Sequence, residues 1–146
     1  MLAKAWPRRS KALTATAMLG AVFPDFDMLW FHLVDQRAFH HHLYWVHFPA
    51  FWALVALVAL PLLRAFQPRA LPYAIVFFAG IFLHLVLDSF TGAIAWAWPW
   101  SDHLYALVTV PATQANWVLS FVLHWTFLAE IVIWVAAVVI WRRSGW

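Results

Sequence analysis

Leu71–Phe90 reads LPYAIVFFAGIFLHLVLDSF, and this stretch decides the fold. It is apolar apart from His84, Asp88 and Ser89, and it has the length that a hydrocarbon core of ~30 Å demands. The segment therefore predicts a membrane-spanning helix. His84 and Asp88 are four residues apart, so both project from one helical face. Ionisable groups inside a membrane are costly, and each raises a functional-site hypothesis.

Two further stretches repeat the pattern. Trp45–Phe66 is nearly all apolar, with His47 near its start and Arg64 near its end. Trp117–Trp141 is interrupted only by Ser120, His124, Thr126 and Glu130. Pro49, Pro61 and Pro72 are placed near helix ends, where a missing N–H is tolerated. Ala12–Phe23 is too short to span alone. Its basic start and dozen apolar residues also match a signal peptide, the twin-arginine type included. Continuation through Met28–Val34 gives instead a kinked helix broken at Pro24, the reading preferred here. The expected fold is all-α, a polytopic membrane protein with about four membrane-embedded helices in a single integral membrane domain, 1–146.

Composition agrees. Of 146 residues 66% are hydrophobic and 10% charged, with twelve Trp and thirteen Phe, and the mean hydropathy is +0.78. Soluble domains are closer to half apolar and about a quarter charged. The absence of Cys excludes disulfides, thiolate nucleophiles and Cys-based zinc sites. A net charge of +3 invites a nucleic-acid reading, but the basic residues collect at the chain ends and in one turn, not along a face. Lys4, Arg8, Arg9 and Lys11 lie at one end, Arg64 and Arg69 in the turn, and Arg142 and Arg143 at the other end. The opposite connections hold only Arg37. The positive-inside rule then predicts a bacterial inner-membrane, multi-pass topology with both termini cytoplasmic. Segments 25–44 and 91–116 face the periplasm in that topology, the second as an interfacial aromatic belt of Trp96, Trp98, Trp100 and Tyr105.

The polar residues set the functional question. His84 lies six residues before Phe90, and His124 seven after Trp117, so both are expected roughly 10 Å below the periplasmic boundary. Asp25, Asp27, His42 and His47 flank the same side, and one cluster is the economical reading. Imidazole nitrogen and carboxylate oxygen without thiolate suit zinc, manganese or iron. Each piece also has a structural reading. Pro24-Asp25-Phe26-Asp27 can be a capped helix end, His84 and Asp88 a hydrogen-bonded helix contact, and His40–His42 a solvated run. Asp102 and His103 read as exposed loop, His32 and Asp35 as surface, and Glu130 as a protonated contact or an acid.

The combination of motifs goes further. Gly20-Ala21-Val22-Phe23-Pro24-Asp25-Phe26-Asp27, His40-His41-His42-Leu43-Tyr44-Trp45-Val46-His47, His84-Leu85-Val86-Leu87-Asp88-Ser89-Phe90-Thr91-Gly92 and Trp98-Pro99-Trp100-Ser101 resemble the bacterial inner-membrane proteins described as metal-dependent hydrolases. The likeness runs from about residue 12 to 105. It implies Asp25, Asp27, His42, His47, His84 and Asp88 as the metal set. Ala12 stands where relatives often have His, and Leu43 and Val46 where Arg and Thr are common. The expected function is a membrane-embedded metal-dependent hydrolase acting on a lipid or lipid-linked phosphoester. Its cofactor is a divalent ion, zinc foremost, with manganese or iron as alternatives. Asp27 or Asp88, or a His from the run, serves as the base. The alternative is a non-catalytic membrane subunit in which a metal or polar cluster pins helices and the Trp-rich surface docks a membrane-protein partner. A metal or proton transporter is a third reading. Membrane lipids are the expected surroundings, and no nucleic acid is expected.

Overall fold

A computed structural model describes residues 10–143. It is helical: α1 (Lys11–Val22), α2 (Asp27–Leu33), α3 (Pro49–Phe66), α4 (Leu71–Thr91), α5 (Trp117–Val122) and α6 (Trp125–Arg143). Three 3-10 turns, Pro24–Phe26, His41–Leu43 and Trp45–His47, lie between them. Among the described residues two helices, α3 and α4, are long and apolar enough to cross a membrane. The count is three if α1 and α2, bent by 53° at their break, form one broken span. Lys4, Arg8, Arg9 and Trp146 lie outside the described residues.

The break falls where Pro24 stands. Its ring fixes φ and removes an N–H, which suits the first position of a turn better than a helix interior. The kinked helix expected from sequence is therefore found. Pro49 and Pro72 likewise occupy first turns. Pro61 does not: it sits inside α3, where a spanning helix tolerates it because neighbouring groups can satisfy the freed backbone.

Two glycines bring α1 against α4. A Cβ on Gly20 would overlap the backbone of Phe77, and one on Gly80 would overlap that of Ala17 and Ala21. Small residues let membrane helices approach to backbone contact, where van der Waals packing holds them. Ile81 and Leu85 are fully buried beside this crossing, with Phe78, Trp52, Val46 and Ile94 completing the core. The Trp52 indole donates to the Val46 carbonyl at 2.7 Å, tying the start of α3 to the turn before it. Outward-facing residues such as Leu57, 71% exposed, are the apolar surface a lipid solvent accepts.

The C-terminal third departs from the expectation of one span over Trp117–Trp141. It is divided at Leu123–His124, where i−3 bonds replace the helical i−4 pattern. The His124 N–H donates to the Phe121 carbonyl at 3.0 Å, and the Phe127 N–H to the His124 carbonyl at 3.1 Å. The aromatic belt is also only partly a belt. Trp100 is 88% exposed, but the Trp96 indole donates to Ser89 Oγ at 2.8 Å and Trp98 stacks on Phe48. The loop is pinned to the end of α4, with the Leu107 N–H donating to the Ser89 carbonyl at 2.6 Å.

Candidate metal centre

The centre forms where the end of α4 meets the α1–α2 break and the two turns before α3. His84 is set by the glycine crossing. Its Nδ1 lies 2.8 Å from the Ala21 carbonyl of α1. A carbonyl can only accept, so Nδ1 carries a proton and Nε2 is turned inward, where it can ligate when unprotonated. That Nε2 is 3.0 Å from Asp88 Oδ2 and 3.7 Å from Asp25 Oδ1.

His42 is set in the same way. Its Nδ1 lies 3.1 Å from the Ala93 carbonyl, which leaves Nε2 3.5 Å from Asp88 Oδ2. Gly92 makes this possible, because a Cβ there would overlap the imidazole Cε1. The turn carrying His42 is capped by His40, whose Nδ1 accepts from the His42 N–H at 3.2 Å. Upstream, positive φ at Gln36 and Arg37 reverses the chain after α2, and the Tyr44 hydroxyl donates to Asp35 Oδ2.

His47 was expected inside a span but precedes α3, because Pro49 opens that helix. Its side chain is 0% exposed and sits between two carboxylates, Nδ1 2.9 Å from Asp27 Oδ2 and Nε2 3.7 Å from Asp88 Oδ2. The six residues singled out by sequence, Asp25, Asp27, His42, His47, His84 and Asp88, thus lie in one connected cluster.

Three imidazole Nε2 atoms converge on one carboxylate oxygen. Donors held about 2.0–2.2 Å from a tetrahedral ion stand about 3.3–3.6 Å apart, a spacing close to that of these atoms. Asp88 Oδ2, His84 Nε2, both His47 nitrogens, His41 Nδ1 and both Asp27 oxygens are buried without a hydrogen-bond partner. The 2.9 and 3.0 Å contacts are therefore close approaches rather than aligned hydrogen bonds. Buried polar atoms are normally paired, and a shared cation satisfies lone pairs that face one another. Burial first, then the neighbouring His41 and His47, pushes His42 down to about 3, and burial also lowers His40 and His41. Near neutral pH these rings are uncharged, which is the ligating form. The donor set fits a divalent N/O site.

A cavity of about 440 Å³ opens beside the cluster, lined by Asp25, His40–His42 and Asp88 together with Val110–Ala112, Ser120 and Phe121. A second hollow of about 580 Å³, walled by Phe23, Phe26, Trp30 and Trp45, reaches Asp27.

The structure also shows what sequence reasoning missed. His41, left unassigned within the run, places Nδ1 3.9 Å from Asp27 Oδ1. The orienting carbonyls of Ala21 and Ala93 left no trace in residue type, while Gly92 closed the His84–Asp88 motif and could have been noticed. His124, expected at the depth of His84, lies at the α5–α6 break with its Nδ1 2.9 Å from Thr126 Oγ1. Neither His124 nor Glu130 belongs to the metal-ligand groupings found among the described residues. A family model described as YdjM inner membrane protein matches residues 1–145. No curated protein and no solved structure matches.

Proposed function

The chain belongs to the YdjM inner membrane protein family, and on that premise we propose that it is a membrane-embedded metal-dependent hydrolase acting on a lipid or lipid-linked phosphoester. The observation that carries this reading is the convergence of the His42, His47 and His84 Nε2 atoms on Asp88 Oδ2. Asp88 and the three imidazoles hold a divalent ion, zinc foremost, and Asp25 stands beside them. A bound ion supplies Lewis acidity towards water and towards a phosphoryl or carbonyl oxygen.

The remaining work falls to the chain. Asp27 is 5% exposed and braces His47. Asp88 is surrounded by imidazoles. Asp25, 50% exposed and lining the cavity, is the carboxylate with room to accept a proton from water. Geometry thus favours Asp25 as base over Asp27 and Asp88. Val110, Pro111 and Phe121 share the cavity lining with the polar residues, a mixture that suits an amphiphile. Among the described residues no Lys or Arg lines this cavity, so recognition of a phosphoryl group rests on the metal and the histidines. In this reading both termini are cytoplasmic and the centre lies toward the periplasmic leaflet.

The test is metal analysis of the purified protein, followed by turnover of a phospholipid phosphoester in mixed micelles. The expected result is bound divalent metal and hydrolysis, with both lost in Asp88→Ala, and turnover lost but metal kept in Asp25→Asn. Metal without turnover of any phosphoester would favour a structural metal in a non-catalytic subunit. A metal-free wild type overturns the reading. A reporter fused after Trp146 should be active on the cytoplasmic side, and periplasmic activity would reverse the topology.

A further inference from the structure

Asp27 is not accounted for by the position centred on Asp88. Its side chain is 5% exposed, and neither carboxylate oxygen has a hydrogen-bond partner. A buried carboxylate is strongly disfavoured unless it is paired or coordinates a cation. Two imidazoles face it. His47 Nδ1 is 2.9 Å from Oδ2, and His41 Nδ1 is 3.9 Å from Oδ1. His41 Nδ1 is itself buried and unpartnered.

The donor atoms fall into two overlapping sets. Asp25, His47 and His84 can bring one ligand atom each within 4.8 Å of one another, and so can His41, His42 and His47. The sets share His47, whose Nδ1 faces Asp27 and whose Nε2 faces Asp88, two carboxylates that stand outside both sets. Shared side chains at short range are characteristic of two-ion centres, in which the ions stand about 3.5–4 Å apart. A buried imidazole nitrogen and a buried carboxylate that face each other and both lack partners fit a second cation.

We propose that the centre has a second divalent-cation position on the Asp27 side, held by Asp27 and His41 and linked to the first through His47. This rests on the reading of the Asp88 position as a metal centre. It makes His41 a metal ligand outside the six motif residues, and it gives Asp27 a coordinating role of its own.

The experiment measures zinc per chain in the full-length protein, purified in detergent and equilibrated with zinc, for the wild type, His41→Ala, His41→Gln and Asp27→Asn. Helix content by circular dichroism accompanies each sample, and the Gln variant retains a polar side chain of similar reach in case Ala fails to fold. The expected stoichiometry is two zinc ions in the wild type and one in each variant. Manganese-loaded wild type should give an exchange-coupled electron paramagnetic resonance signal, replaced in the His41 variants by the six-line signal of an isolated ion. One zinc ion in both the wild type and the His41 variants overturns the second position and leaves the first intact. Two ions retained in a folded His41 variant overturn the role of His41. No zinc in the wild type overturns the first position as well.

Discussion

The α1–α4 crossing and the α5–α6 break begin from the same ingredients and end differently. Each joins apolar helix to a histidine, His84 in one and His124 in the other. At the crossing, Gly20 and Gly80 let two backbones touch, and the exposed carbonyl of Ala21 turns His84 towards the carboxylates. At the break, His124 takes its partner from two residues on, Thr126, within its own turn. A polar residue in an apolar helix becomes part of a site when another helix comes near enough to orient it. Depth along the helix is not sufficient.

Gly80→Val should show the largest difference between the two regions. A side chain there meets the backbone of Ala17 and Ala21, forces α1 and α4 apart and removes the bond that orients His84. Overpacking of this kind costs about 1–3 kcal/mol, and loss of an orienting partner lowers metal affinity about 10–100-fold. Ala136→Val on the exposed face of α6 is the matched control and should stay within about 0.5 kcal/mol. Thermal unfolding in detergent and zinc titration read both effects. Equal behaviour of the two variants would break the comparison.

Gly92→Ala is expected to act less broadly. The new methyl meets the His42 ring most closely and the Asp88 carbonyl at 3.0 Å, so the fold should survive while His42 tilts away from Asp88. A fall in zinc affinity of about 10-fold, the lower end for a disturbed orientation, should appear with little change in melting temperature. Wild-type affinity would mean that the ring moves aside without loss and that His42 is not held by this contact.

His124→Phe should have the smallest effect. It removes one partly buried hydrogen bond, worth about 0.5–1.5 kcal/mol, and should leave metal content and turnover unchanged. If zinc affinity fell 10-fold or more, His124 would have to be coupled to the centre, and the contrast between the regions would narrow.

Much of this protein is written locally. Leu71–Thr91 is helical and long enough to span because its apolar run meets bilayer thickness, which needs no knowledge of neighbours. Pro24 places the break and the two aspartates by restricting its own backbone. The residue types alone exclude thiolate chemistry and limit a metal to nitrogen and oxygen donors. The single span expected over Trp117–Trp141 failed because hydropathy is blind to a break made by i−3 backbone bonds within apolar sequence.

Tertiary structure alone decided which nitrogen of each histidine faces inward, that His41 joins Asp27, and that His124 stands apart. The partners concerned are the Ala21 and Ala93 carbonyls, 63 and 51 positions away from the histidines they orient. Every residue carries a carbonyl, so no choice of side chain announces which one a distant ring will meet. That is set by how closely the helices can cross, and the crossing depends on the absent side chains of Gly20 and Gly80.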